Sequence, residues 1–394
     1  MIRAPARMMR NKPVRACAKP SLCGGGRRPT VRSAGNGQVF FPACVRVAAL
    51  LGFWLLSAST ILAQTGSSPS RPSAGRSGSP APAASASPTV RTFLGAPYLE
   101  AVPWATRQGL KVAWLERGRR LQFFNETTRL VIEADRREVD INGLRIFLGE
   151  PIVESGGKLW LGTIDAATLL GAIVRPASIP GPAPALRVIC IDAGHGGNDT
   201  GTQNRRLKLD EKVLTLDVAQ RVRRSLEAKG YRVVMTRSDD RFVELEDRAA
   251  FANRAKADLF VSIHFNAFPQ PGVTGTETYI LTRRGQRSTG GARREPSDQV
   301  GLPGHRADPW NAVLGHAIHR QLVGRLNTDD RGLKFARFKV LTLINCPGVL
   351  VESGYLSNEA EARRIATPAY RAEIAAGIVA GIESYAAQLR RPAR

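Results

Sequence analysis

Four side chains in the C-terminal half of the chain have the types and settings that metal and acid–base chemistry require. His195 stands among glycines in VICIDAGHGG, directly after the apolar, β-branched stretch 188–193. His264 falls at the end of LFVSIHF and Glu352 at the end of GVLVE. Glu211 opens a helical pattern whose apolar stripe is Leu214, Val218, Val222 and Leu226, and its spacing from Leu214 puts it on the buried face. A carboxylate there needs a partner, which a helix N-terminus supplies in part and a cation supplies more fully. Two neutral imidazoles and one carboxylate are a ligand set for catalytic zinc, with a fourth position for a water whose pKa falls to about 7. A second carboxylate beside the ion can take the water's proton and pass it to a leaving amine. The expected roles are therefore His195, Glu211 and His264 as ligands of Zn2+, with Glu352 as the catalytic acid–base. Taken singly, each has an ordinary alternative: a hydrogen-bonded histidine, a first-turn glutamate on the helix dipole, a locally paired glutamate.

The elements around these residues alternate. VICIDA, YRVVMTR, LFVSIHF and TETYILT read as strands, and VLTLI and GVLVESGY as extended. Helical patterns run from Glu211 to about Lys229, over LEDRAAFANRAKA, over about 310–326 and over about 369–389. This alternation predicts an α/β fold over 187–390, a twisted, mostly parallel sheet flanked by helices. In such sheets the active site lies beyond the carboxyl ends of the strands, where His195, His264 and Glu352 would gather.

Ahead of this half, RPASIPGPAPALR, with 176–186 as its middle, reads as a linker. Over 91–175 the stretches LQFF, RLVIEA and LRIFLGE read as short strands, predicting a small α+β domain. LEAVPWATRQGLKVAW at 99–114 and KLWLGTIDAATLLGAIV at 158–174 form a weak repeat: an extended piece, a short helix, then a glycine before an apolar strand. This pattern resembles the small stalk-like N-terminal domain of copper amine oxidases, and implies a wall-binding or spacer module without catalytic groups.

The Ser/Pro/Ala/Gly-rich stretch 64–90 predicts a disordered linker. Before it, VAALLGFWLLSASTILA at 47–63 is uncharged, follows Arg46 and ends in small residues, so 1–63 reads as a secretory signal or, failing cleavage, a membrane anchor. Either route predicts an exported, periplasmic or wall-associated protein, with membrane contact only through that segment. The formal charge of +24 invites a nucleic-acid reading, but ten of the Lys and Arg fall within 1–46 and no interleaved aromatics accompany the rest. No nucleic-acid partner is expected. Beyond the export segment only Cys190 and Cys346 remain, expected as buried free thiols.

Other motifs fail. Asp199 stands where a dinucleotide fingerprint needs its last glycine, and no nucleophile elbow occurs after residue 187. His316 and His319 are spaced to grip a metal from one helix, but the stripe Leu314, Ile318, Leu322 and Leu326 predicts His316 on the solvent side.

IDAGHGG, DEK, TR, R-x-x-x-A-N-x-x-x-A-D-L-F-V-S-I-H-F-N-A, GTETYIL and PGVLVESGYLSN-x-x-E occur in the order seen in zinc-dependent N-acetylmuramoyl-L-alanine amidases. Over about 187–389 the chain resembles the type-3 catalytic domain of these cell-wall enzymes. The resemblance implies one zinc on His195, Glu211 and His264, a catalytic Glu352, and peptidoglycan as substrate. The bond cut would join the lactyl group of N-acetylmuramic acid to L-alanine. Ala193 replaces a usual Pro and Tyr355 a common Phe; neither removes a ligand. Some members carry a segment at the position of 282–309 that covers the site until an activator protein moves it; the alternative for this polar stretch is a solvated loop. The rival functions are a zinc peptidase cutting within the stem peptide and a non-catalytic peptidoglycan-binding protein.

Overall fold

The computed structural model describes residues 89–390, all within one compact unit. The expected export segment and nearly all of the linker 64–90 lie outside the described residues; the linker's last position, Val90, already begins a strand.

Strands β1 (Val90–Phe93) and β2 (Ala96–Glu100) form a hairpin and lead into helix α1 (Ala101–Arg107). An antiparallel meander follows: β3 (Lys111–Glu116), β4 (Arg120–Phe124), β5 (Arg129–Glu133), β6 (Glu138–Ile141) and β7 (Leu144–Phe147). β8 (Val153–Ser155) and β9 (Lys158–Gly162) return to β2, closing a small sheet ordered β1-β2-β9-β8. Helix α2 (Thr163–Asp165) then passes through a π-helical turn at Ala166–Leu170 into α3 (Gly171–Val174). The sequence repeat holds for the strand and the start of each helix, then breaks. Gly109, at φ 77°, ends α1 and hands the chain to β3, whereas Gly171 lies inside the helical run. A Cβ at Gly171 would stand 2.8 Å from the Ala166 carbonyl oxygen, so this glycine serves the tight π turn and no strand follows it.

The second half runs β10 (Val188–Ala193), the short pair β11 (Gln203–Asn204) and β12 (Leu209–Asp210), α4 (Glu211–Glu227), β13 (Arg232–Met235), α5 (Leu245–Arg254), β14 (Leu259–Asn266) and β15 (Thr276–Leu281). It continues through α6 (Asp308–Leu326), β16 (Asp330–Ala336), α7 (Lys339–Thr342), β17 (Gly348–Tyr355), α8 (Glu359–Ala366) and α9 (Pro368–Leu389). One sheet of eleven strands carries both halves, ordered β13-β10-β14-β17-β15-β16-β7-β6-β5-β4-β3. Its β13-β10-β14-β17 portion is wholly parallel; β15 runs antiparallel to β17, and β16 is parallel to both β15 and β7. The sheet is therefore mixed and continuous across the two sequence segments.

Side-chain alternation divides the core. Ile189, Ile191, Ile263, Phe265, Val349 and Val351 point to the face covered by α4, α6 and α9. Cys190, Phe260 and Leu350 point to the opposite face, where α5 and α7 pack. Both cysteines are buried free thiols in that second cluster.

Three expectations need correction. VLTLI is not extended: α7 begins it, because one helical turn brings Val340, Leu341 and Ile344 together onto the Phe260 cluster. His316 is not on a solvent side. Helix α6 is buried nearly all round between β15 and α9, leaving His316 half-buried, with Nε2 enclosed and unpartnered and its pKa lowered to about 4 by burial. Its neighbour His319 is engaged elsewhere, 3.0 Å from Thr278 Oγ1 and 2.8 Å from Asp330 Oδ1. The stretch 282–309 does not cover the site; it is largely exposed over 290–301, as a solvated loop would be, but its start is anchored. It packs on the first half of the chain, with Arg283 donating to Asp165 Oδ1 at 2.8 Å where both side chains are fully buried.

Candidate active site

β10 delivers the chain to a turn that no ordinary sequence could make. His195 itself adopts φ 62°, and Gly196 follows at φ 133°. The neighbouring glycines are required by proximity as well. A Cβ at Gly194 would stand 2.3 Å from the His264 ring, and one at Gly201 2.6 Å from the His195 ring and 2.7 Å from Glu211 Oε2. Two buried arginines clamp the carbonyls of this turn. Arg237 donates through Nε to Ala193 O (2.9 Å) and through Nη2 to Gly194 O (2.8 Å). Arg248 donates to Ala193 O (2.8 Å) and His195 O (2.9 Å).

Arg248 is matched by Asp192, which is completely buried on β10. Asp192 Oδ1 accepts from Arg248 Nη1 (2.8 Å) and Thr236 Oγ1 (2.6 Å), and Oδ2 from Ser262 Oγ (2.7 Å). Burial alone would raise its pKa, but the Arg248 charge and these hydrogen bonds hold it below the usual carboxylate range. One acid thus ties β10, β14, the loop after β13 and α5 together beneath the histidine turn.

The turn brings His195 against Glu211, the first residue of α4. His195 Nε2 lies 3.2 Å and His264 Nδ1 3.0 Å from Glu211 Oε1, which also accepts from Phe265 N at 3.0 Å. Glu211 Oε2 accepts from Thr202 N at 2.8 Å. The two imidazoles meet edge to face, 4.9 Å between centroids. Among the described residues, His195, Glu211 and His264 are the group of ligand-type side chains able to hold one ion, with an atom from each within 4.8 Å of the others. An ion about 2.0–2.1 Å from tetrahedral ligands separates those ligands by about 3.3 Å. The separations from Glu211 Oε1, 3.2 and 3.0 Å, are close to that spacing, so the residues fit a small cation. Asp199 Oδ2 sits 2.8 Å from His195 Nδ1 and orients that ring, leaving Nε2 to face Glu211.

Glu211 and His195 shift each other's protonation. Burial would raise the Glu211 pKa, yet hydrogen bonds and charge from the two histidines hold it far below the usual carboxylate range. Burial would lower His195, but Glu211 and then Asp199 raise it.

Glu352 is central in β17 rather than at its end, as the strand continues to Tyr355. In register it lies beside His264 of β14 on one side and Glu277 of β15 on the other. It lines the same cleft as the three ligand-type residues, with Oε2 buried and unpartnered. Burial first, then the charges of Glu211 and Glu277, raise its pKa well above the ordinary value. The cleft has a volume of about 440 Å3 and an apolar wall of Leu245, Phe338, Val340 and Leu350 opposite the polar groups. No residue of 282–309 lines it.

Glu277, buried beside Glu352, accepts from Tyr355 Oη (2.6 Å), Tyr279 Oη (2.6 Å), Arg331 Nε (3.0 Å) and Lys334 Nζ (2.6 Å). The sequence reading assigned no role to Glu277, Asp199, Asp192, Arg237 or Arg248. Asp192, Arg237, Arg248 and Glu277 do sit inside the motifs IDAGHGG, TR, R-x-x-x-A-N and GTETYIL, which are the available signal.

Two imidazoles and a carboxylate converging on one point, with a second carboxyl in the same cleft, are an arrangement that could hold a metal ion and serve hydrolysis. Comparison with known proteins narrows the class. Residues 189–384 match the family described as N-acetylmuramoyl-L-alanine amidase. The chain is 38% identical over 199 residues to the uncharacterized protein YqiI of Bacillus subtilis, covering 50% of this chain and 84% of that one. It is 35% identical over 219 residues to the N-acetylmuramoyl-L-alanine amidase AmiC of Neisseria meningitidis, covering 50% of this chain and 52% of AmiC, about half that protein's length. The solved catalytic domain of CwlV, an amidase from Bacillus (Paenibacillus) polymyxa, is 31% identical, with 51% of this chain and 99% of that one covered and a TM-score of 0.43. The chain belongs to the N-acetylmuramoyl-L-alanine amidase family.

Proposed function

We propose that this chain hydrolyses the amide between the lactyl group of N-acetylmuramic acid and the L-alanine of the peptidoglycan stem, using one zinc ion held by His195, Glu211 and His264. The observation carrying this reading is the convergence of those three residues, with ligand atoms within 4.8 Å of one another, in the cleft that also holds the unpartnered Glu352 oxygen. Bound there, zinc would polarise the amide carbonyl and make water nucleophilic near neutral pH. The protein's own groups do the rest. Asp199 fixes the His195 ring, and the arginine-clamped turn fixes its backbone. Glu352 takes the proton from the attacking water and returns it to the departing L-alanine nitrogen. Leu245, Phe338, Val340 and Leu350 of the cleft would offer apolar contact to the methyl-bearing carbons on either side of the amide.

The remaining roles belong to the same reading. Segment 1–63 directs export to the periplasm or wall, with 64–90 as tether. Segment 91–175, which contributes nothing to the cleft, is a non-catalytic module for wall contact, joined through 176–186 to a catalytic region 187–390. An activator protein, if one operates, would not act by moving 282–309 off the site, since that segment lies elsewhere.

Digestion of purified sacculi by the full chain, with and without chelator, tests the reading. The expected products are free stem peptides and glycan carrying an unsubstituted lactyl carboxylate, with release abolished by chelation and restored by zinc. Peptides cut internally would shift the assignment to a peptidase. Binding without release from the zinc-loaded protein would shift it to a wall-binding protein.

A further inference from the structure

A second pocket of about 320 Å3 opens at the junction of 282–309 with the first half of the chain, lined in part by Gly95, Glu150, Arg284, Gln286, Arg294 and Gln299. None of its residues lines the catalytic cleft. Gln286, 1% exposed, forms part of its wall. Its orientation is not free: Oε1 accepts from Arg283 Nε at 2.8 Å, so the amide nitrogen must be the other end. That nitrogen is buried and has no acceptor. Gly149 is kept small for it, since a Cβ there would stand 2.3 Å from Nε2.

The shortage of acceptors extends through the junction. Arg283 Nη1, Arg287 Nε and Arg137 Nη2 are also buried donors without partners. Asp165 is spent on Arg283 and on the Gly149 and Glu150 amides, and Asp298 on Arg337. The pocket's own acid, Glu150, has Oε1 3.3 Å from Arg294 Nε, an ion pair in which that buried oxygen accepts no hydrogen bond. Arg284, exposed at the rim, faces no acid and donates to the carbonyl of Gln299. Of these donors only Gln286 Nε2 belongs to the pocket's wall, where the acid-free Arg284 also stands; a buried donor without an acceptor is costly, so this wall is suited to receive an acceptor from outside.

We infer that this pocket is an oxyanion site in which Gln286 Nε2, with Arg284 and Arg294, binds a phosphoryl or carboxylate group. Arginine forks beside a fixed amide donor are the usual recognition of such groups. The site lies apart from the cleft, so an anionic wall component held there anchors the enzyme without occupying its catalytic groups.

The test is isothermal titration calorimetry of the full chain with inorganic phosphate and, separately, acetate, at constant ionic strength set by chloride. The expected result is saturable binding of one anion per chain, weakened at least about tenfold in Arg284→Gln and abolished in Gln286→Glu, which turns the free donor into a second anion. Phosphate alone would identify a phosphoryl source, acetate alone a carboxylate source, and both the shared chemistry. Arg284 is exposed, so its variant remains informative if Gln286→Glu does not fold. Absence of saturable binding to the wild type, or equal binding by the Arg284 variant, would overturn the assignment. Catalysis is not the readout, so failure here leaves the amidase reading untouched.

Discussion

At the scale of single residues, roles that look alike in sequence separate by what each atom touches. Glu211 spends both oxygens on the site: Oε1 faces the two imidazoles and the Phe265 amide, and Oε2 accepts from Thr202. Glu352 keeps one oxygen buried with nothing to bind. Glu352→Gln should therefore keep the metal and lose on the order of 10²–10⁴-fold in turnover, checked by zinc content beside the rate of stem-peptide release. Normal turnover in that variant would remove Glu352 from the acid–base role. Asp199 acts through His195 rather than on substrate. Asp199→Ala should weaken zinc affinity by about 10–100-fold, read by competition with a chromogenic chelator, while the melting temperature of the metal-free protein barely moves.

At the scale of elements, the turn after β10 depends on a buried ion pair that contributes no ligand. Arg248→Met leaves Asp192 charged and fully buried with only hydroxyl partners, and releases the His195 carbonyl. A loss of about 3–5 kcal/mol in urea unfolding is expected, far more than an exposed pair such as Arg223–Glu227 would cost. The start of α6 carries a different strain. Burial raises Asp308 from 3.8 to about 7, despite the nearby charge of Arg283. An acid with a raised folded-state pKa favours folding below its unfolded value, and that contribution is lost as pH rises through about 7. Asp308→Asn should therefore reduce the fall in stability between about pH 5 and about pH 8, by at most about 3 kcal/mol, followed by melting temperature across that range. The same scale explains what the sequence could convey. The positions of His195, Glu211 and His264 were legible because glycine crowding, an apolar helical stripe and a strand pattern are local signals. Strand β16 was not, because only Leu333 and Phe335 alternate inward between charged residues. Nor was the burial of His316, since a helix packed on two sides carries an apolar stripe only on the side that the pattern reveals. Asp192 in β10 and Arg248 in α5 are separated by four elements of the chain, and nothing short of the fold shows that they pair.

At the scale of the molecule, the continuous sheet makes the two halves unequal partners. All the residues lining the catalytic cleft come from Asp192 onward, so the chemistry needs nothing from the first half. Stability does. Arg283, 1% exposed, has its acid in Asp165, and Asp330 Oδ2 accepts from the Arg145 backbone at 2.6 Å where β16 meets β7. A 187–394 fragment would strand the Arg283 charge and open the edge of β16, costing about 3–5 kcal/mol from the broken ion pair before any apolar surface is counted. It should melt well below the full chain and tend to aggregate, yet turn over substrate at the full-chain rate per zinc-loaded, folded molecule. Adding Arg283→Met should recover part of the lost melting temperature, because it removes the stranded charge while keeping an apolar side chain against the Phe335 ring. A fragment as stable as the full chain would show that the shared sheet carries little energy. A fragment that folds and binds zinc but turns over slowly would show that the first half reaches the chemistry by a route its contacts do not reveal.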